Sequence, residues 1–410
     1  MASVAKNASF RRLWLAQFVS LIAVYGLNFT AVVQVENVTH SSAQTGLVIL
    51  FAILPAFLAS LVAGVAVDRR DRVRVLVVTH LARMPVALAF WLAVRWLPPG
   101  PALAAMLAIN AALAAFSQFA MPAELALLPD MVGGEGLVSA NSLLQMSTLA
   151  AEGAGIVLLG PLLSRLAGIE TMGLLGAGLY LLAGWLVLPL PGGQIESRRE
   201  NRPPLAALAA DLRDGWRTIA QDPFLRGITI QVTLVAALLL VLLTLMPGLA
   251  TRSLGLEADM AVFLLLPGGV GFALGTWLVS WQENRLSRQG WINAGLFCLG
   301  GALALVVAFS FGRGWPALAA LAGSIFAVGV ALAMVIVPAR AVLQERPPAE
   351  MRGRVIATQL TLGNALAVLP LPLGGGLADL IGVRKVMALI TLLVLGAGVS
   401  GIRQTYERKP

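Results

Sequence analysis

The chain is poor in what soluble enzymes and metal proteins are built from. Of 410 residues, one is cysteine and two are histidine. An intrachain disulfide is impossible, and too few soft or imidazole ligands are present for a zinc centre. The single thiol, Cys298, stands in an apolar run and is expected as a small buried hydrophobe. Charge is scarce as well: Asp, Glu, Lys and Arg make up 12% of the chain, about half of what a soluble domain carries. The sequence has no Walker loop, which argues against ATP hydrolysis, and no serine stands in a His/Asp constellation. Neither enzymatic chemistry nor a cofactor is expected.

What is abundant is hydrocarbon. Hydrophobic residues make up 58% of the chain and the mean hydropathy is +0.85. A helix needs about 20 apolar residues to cross a bilayer. Stretches of that kind fall at 13–35, 43–67, 75–96, 101–121, 138–163 and 170–190. After a polar gap they resume at 225–249, 259–281, 290–311, 316–338, 355–377 and 384–402. The fold class is therefore an all-α membrane protein with twelve transmembrane helices, and the lipid bilayer is its main partner. The first stretch lacks a cleavage site after a short apolar core and reads as a retained helix.

A net charge of +9 would suggest nucleic acid in a soluble protein. Here the basic residues sit in alternate loops. One set carries Lys6, Arg11 and Arg12, then Arg69 to Arg74, then Arg198 to Arg226, then Arg285 and Arg288, Arg340 to Arg354, and Arg403 to Lys409. The opposite set has only Arg95, Arg165, Arg252, Arg313, Arg384 and Lys385. This asymmetry places both termini in the cytoplasm, in a multi-pass protein of the cytoplasmic (inner) membrane. No nucleic-acid partner is expected, and a monomer is.

Residues 191–224 break the apolar pattern and join two similar halves, 1–190 and 225–410. Within this linker, Leu205, Leu208, Leu212, Trp216 and Ile219 mark one face of an amphipathic helix suited to the membrane surface. Pro122 to Leu128 leading into Gly136 to Ala140 corresponds to Pro338 to Gln344 leading into Gly353 to Ala357. Gly160 to Gly168 corresponds to Gly374 to Gly382. Six spans, a linker and six more in the same orientation form the parallel repeat of secondary transporters, whose substrate path runs between the halves.

The run Asp68-Arg69-Arg70-Asp71-Arg72-Val73-Arg74 separates the second and third spans. Together with Gly64 it resembles the loop signature G-x-x-x-D-R-x-G-R of the major facilitator superfamily. Phe10 to Ser20, Pro122 to Asn141 and Val342 to Arg354 are similar to the macrolide and enterobactin efflux branch. Ser139-Ala140-Asn141 followed by Ser147-Thr148 is shared with lysophospholipid transporters. The resemblance implies two six-helix halves, alternating access, and contacts at the signature loop that close the cytoplasmic side. Gly64 permits close helix approach, and Asp68 can accept hydrogen bonds at the positive amino end of a helix from the other half. Arg69 and Arg72 can pair with Asp130, or second with Glu124. Asp71 stands where the signature has glycine, and is expected to loosen the turn or to compete for the arginines. Gly153 to Pro161 resembles the antiporter pattern of the fifth span.

Ionisable groups inside spans are functional candidates. Glu152 is placed deepest, with Arg83 as its expected partner, and is the candidate for proton coupling or for a cationic substrate. Tyr25 and Asn28 add polar contacts in the first span. Aligned with relatives, Val24 occupies the position where that span commonly carries an acid. His80 and Glu36 read as solvated helix ends. The expected function is proton-gradient-driven export of hydrophobic or amphipathic, drug-like small molecules. The alternatives are lysophospholipid movement, with Arg83 meeting a phosphate, and a non-transporting scaffold on the same fold.

Overall fold

The computed structural model describes residues 7–68, 70–191, 204–282, 285–312, 314–368 and 370–406. Helix dominates them, and the expected spans all fall on helices. In the first half these are α1 (Ala8–Thr39), α2 (Ser42–Asp68), α3 (Arg72–Trp96), α4 (Pro99–Glu152), α5 (Gly160–Leu166) and α6 (Thr171–Val187). Helix α7 (Pro204–Gln221) follows. The second half holds α8 (Pro223–Gly248), α9 (Ala261–Trp281), α10 (Arg288–Phe309), α11 (Trp315–Glu345), α12 (Arg352–Val368), α13 (Pro370–Ile381) and α14 (Val383–Tyr406). Among the described residues, nine helical stretches are long and apolar enough to cross a membrane.

Two spans share α4. Gly133, at φ +64°, breaks the helix between them, a backbone setting that glycine alone adopts without a Cβ penalty. The fourth span therefore runs well past residue 121, to Gly133. In the fifth span, a π-helical turn at Gly153–Leu159 separates α4 from α5. A second one, Leu249–Ser253, extends α8. Turns of this kind recur at functional sites because the extra residue redirects the side chains around it.

The chain divides into two compact units. Unit 1 comprises Met1–Thr39 and Leu47–Pro204, and unit 2 comprises His40–Gly46 and Leu205–Pro410. In unit 1, α1 packs on α4 and α6, and α3 on the same two helices. In unit 2, α11 packs on α9 and α10, and α8 on α12 and α13. Small residues let the backbones approach. A Cβ on Gly173 would stand 2.7 Å from the Trp91 amide nitrogen, and one on Gly155 would stand 2.9 Å from the Gly26 nitrogen.

Much of the linker, 192–203, lies outside the described residues, as do the side chains of Leu205 and Leu208. Helix α7 is held to α12 by ion pairs from Arg354 to Asp211 at 2.8 Å and to Asp214 at 3.2 Å. Ile219 is buried, but Trp216, expected on the same apolar face, is exposed. Cys298 is exposed on α10, contrary to its expected burial.

Asp222 caps α8, accepting from the amides of Phe224 at 2.9 Å and Leu225 at 3.3 Å, and it takes an ion pair from Arg346 at 2.5 Å. Partial burial acts to raise its carboxyl, but those hydrogen bonds and the Arg346 charge outweigh it and hold the group below the usual aspartate range. A depressed carboxyl adds stability above its unfolded pKa, about 3.9, and loses it as pH falls through the lower folded value. Asp222→Ala is therefore expected to lower the melting temperature at neutral pH. The gap to the parent should close below about pH 4, as a pH series of thermal scans will show.

Candidate functional site

A polar layer crosses the interior of unit 1. Ser20 of α1, His80 and Arg83 of α3, Glu124 of α4 and Tyr180 of α6 are all buried. Apolar packing lies on either side: one cluster includes Leu13, Leu76 and Leu127, the other Leu27, Phe90 and Tyr180 itself. Arg83, only 3% exposed, donates from Nη1 to Ser20 Oγ at 2.9 Å. Its guanidinium lies 5.6 Å from the Tyr180 ring centroid, a cation–π distance. The charges of Arg83 and Glu124 act on each other. Arg83 Nε and Nη2, both His80 ring nitrogens and the Tyr180 hydroxyl have no hydrogen-bond partner among the described residues.

This layer corrects three expectations. The acid whose charge acts on Arg83 is Glu124, not Glu152. Glu124, counted with the loop after the fourth span, lies inside that span because the helix runs on to Gly133. His80 is an interior residue, not a headgroup contact, since it faces the same way as Arg83 one turn on. Glu36 is likewise fully buried.

Glu152 is exposed on unit 1 as the last residue of α4, directly before the π turn. Its charge acts on the half-buried Tyr25 of α1. Gly155 brings these elements together, because a Cβ there would meet the Ile22 carbonyl at 2.9 Å and the Tyr25 Cβ at 3.0 Å. Asn28, one turn beyond Tyr25, is partly exposed. Val24 packs against the apolar cluster around Leu27.

At the signature loop, Arg72 Nη1 lies 3.5 Å from Asp130 Oδ2 and donates to the Ala126 carbonyl at 2.9 Å. Asp71 has a role the signature's glycine could not fill. Its side chain caps α3, accepting from the Arg74 amide at 2.9 Å. Arg69 lies outside the described residues. So do the side-chain surroundings of Gly64 and Asp68, which occupy the last turns of α2.

Unit 2 contains a junction that sequence reasoning missed. Asp379, in α13, accepts from Ser41 Oγ at 2.6 Å and from the amides of Ser42 at 2.8 Å and Ala43 at 3.0 Å. Arg252, in the π turn after α8, pairs with Asp379 at 2.8 Å and also donates to Ser42 Oγ. Partial burial acts to raise the Asp379 carboxyl, but its hydrogen bonds to Ser41, Ala43, Ser42 and Arg252 prevail and keep it below the ordinary aspartate range. The signal was available: Gly375-x-x-x-Asp379 repeats the spacing of Gly64-x-x-x-Asp68.

The sequence matches the Major Facilitator Superfamily over residues 13–370. The enterobactin exporter EntS of Salmonella choleraesuis (strain SC-B67) is 28% identical over 314 residues, which cover 75% of this chain and 72% of that one. EntS of Shigella dysenteriae serotype 1 (strain Sd197) is 30% identical over 227 residues, covering 55% and 52%. Among solved structures, a bacterial homologue of the iron transporter ferroportin superposes with a TM-score of 0.74 at 18% identity, covering 96% of this chain and 98% of that chain. The nucleoside transporter NupG gives 0.68 at 13% identity, covering 96% and 98%. Apolar spans, the six-plus-six organisation, the signature loop and these likenesses agree: the chain belongs to the Major Facilitator Superfamily and is a multi-pass membrane transporter, not an enzyme.

Proposed function

We propose that this transporter exports amphipathic small molecules in exchange for protons, with Glu152, Tyr25 and Asn28 forming the polar face that meets substrate or proton. The observation that carries this reading is Glu152: a carboxylate within a span, exposed on unit 1, beside Tyr25 and at the mouth of a π turn. Acidic groups at such depth are costly to keep, and where they persist they mark ion or substrate paths. The EntS relatives are named as exporters, which supports the direction of transport. The basic loops support cytoplasmic termini. The Arg72–Asp130 pair, with Gly64, Asp68 and Arg69 beside it in sequence, supports a gate at the signature loop.

The lipid alternative has less support. Arg83, offered there as a contact for a phosphate, is enclosed within unit 1. Export is tested in everted membrane vesicles with a lipophilic cationic dye. Proton-dependent uptake of the dye is expected, and Glu152→Gln should reduce it to the level of vesicles without the protein while leaving the melting temperature intact. Dye movement that persists after an uncoupler collapses the proton gradient refutes the antiport reading.

A further inference from the structure

The amino end of α2 is gripped by elements far away in sequence. Ser41, Ser42 and Ala43 all donate to one carboxylate, that of Asp379. The first amides of a helix have no partners within it, and the helix end carries partial positive charge, so a carboxylate there is held on both counts. Arg252 neutralises the same carboxylate and binds the Ser42 hydroxyl. Around this knot the backbones touch. A Cβ on Gly46 would stand 2.6 Å from the Leu371 carbonyl oxygen, and one on Gly375 would collide with the Ser42 carbonyl. His40, at φ +47°, holds the two-residue turn from α1 in the left-handed region, which is uncommon for a residue other than glycine.

Two further facts give this knot a role beyond stability. Residues His40–Gly46 belong to unit 2, whereas α2 from Leu47 onward belongs to unit 1. The chain thus passes from one unit to the other at the first turns of α2. Second, α2 spans the membrane, so the knot lies at the face opposite the Asp68–Arg74 loop. The helix ends on Gly64-x-x-x-Asp68 and begins against Gly375-x-x-x-Asp379. A signature associated with gating at one face has a second occurrence, with its hydrogen bonds made, at the other.

We infer that Asp379 and Arg252 form a latch on the amino end of α2 that must release during each transport cycle. Asp379 is thus a positioning residue for transport, acting through α2 and touching no substrate. Three charge-assisted contacts and an ion pair, all carried by two side chains, make and break together. That suits a junction with two states better than dispersed apolar packing does.

The test uses the full-length chain with Cys298→Ser and Thr45→Cys. Thr45 is fully buried one turn into α2, within the gripped segment. A membrane-impermeant maleimide therefore reaches the new thiol only when this end lifts. Slow labelling is expected, and Asp379→Asn should accelerate it about tenfold or more, the scale set by losing hydrogen bonds to a charged group. Arg252→Gln should act in the same direction. Equal labelling rates with and without Asp379→Asn would overturn the latch. A second variant covers misfolding of the first and keeps both latch residues: Ala43→Cys with Gly376→Cys, whose Cβ positions lie 3.9 Å apart, within disulfide reach, again on Cys298→Ser. Oxidation should stop uptake of the dye and reductant should restore it. Full-rate uptake by the cross-linked protein would show a static cap and no latch. The inference rests on the transport reading only for that second arm. If the parent moves no dye, the export reading fails, whereas the labelling comparison still decides the latch.

Discussion

Arg83→Met is expected to destabilise the protein by about 1–3 kcal/mol, the cost of leaving buried polar groups without the charged group that serves them. The methionine fills most of the volume, so packing is not the main loss. What remains is Glu124, 6% exposed between apolar clusters, without the cation that compensates it. The Tyr180 ring also loses its cation, and Ser20 loses the guanidinium that donates to it. The double change Arg83→Met with Glu124→Leu is expected to recover most of the stability, because an apolar replacement of both members is often neutral or better. Thermal unfolding of the three proteins in one detergent checks this. If Arg83→Met melts with the parent, the guanidinium and its contacts to Ser20 and Tyr180 add nothing to stability. If the double variant melts as low as the single one, the layer's other polar atoms carry the loss.

The same layer shows what a single sequence reveals about a membrane protein and what it withholds. Length and charge placement along the chain define depth, which is why the spans and the Arg72–Asp130 neighbourhood were legible. Which face of a helix a residue occupies was not. A soluble helix announces its buried face by an apolar stripe, but helices that are apolar all round carry no such stripe. Cys298 was therefore expected inside and lies exposed on α10. His80 and Glu36 were expected at solvated ends and are buried. Glu152 was matched to Arg83 by depth along the chain, whereas the acid whose charge acts on Arg83 is Glu124, which had been counted with a loop. The Asp379 knot was hidden for a different reason: its partners are separated by more than 330 residues, and no local pattern announces a helix capped from that distance.

Gly329→Ala is expected to cost on the order of 3 kcal/mol, at the upper end of overpacking penalties, although it adds a single methyl group. In unit 2, α9 presents Gly268, Gly271 and Gly275 to α11. A Cβ on Gly329 would collide with the Gly268 carbonyl and stand 2.7 Å from the Phe272 nitrogen. One on Gly271 would collide with the Phe326 carbonyl, and one on Gly275 would stand 2.8 Å from Val330 Cα. These neighbours are backbone, so no rotamer change relieves the clash and the two helices must part. Within a bilayer, association rests on close van der Waals contact, since lipid is as apolar as the helix surface it replaces. Separation therefore forfeits the contact without any compensating hydrophobic gain. Gly269 is the internal control, being on the same helix with nothing within 4 Å of its Cβ position. Gly269→Ala is expected to be neutral or to stabilise by about 0.5–1 kcal/mol through the restricted unfolded chain. A matched pair of melting curves decides the point. Equal losses at 329 and 269 would mean that helix propensity or expression, not backbone contact between α9 and α11, sets the tolerance for side chains here. A loss at 329 alone shows that these glycines are the surface on which unit 2 is assembled.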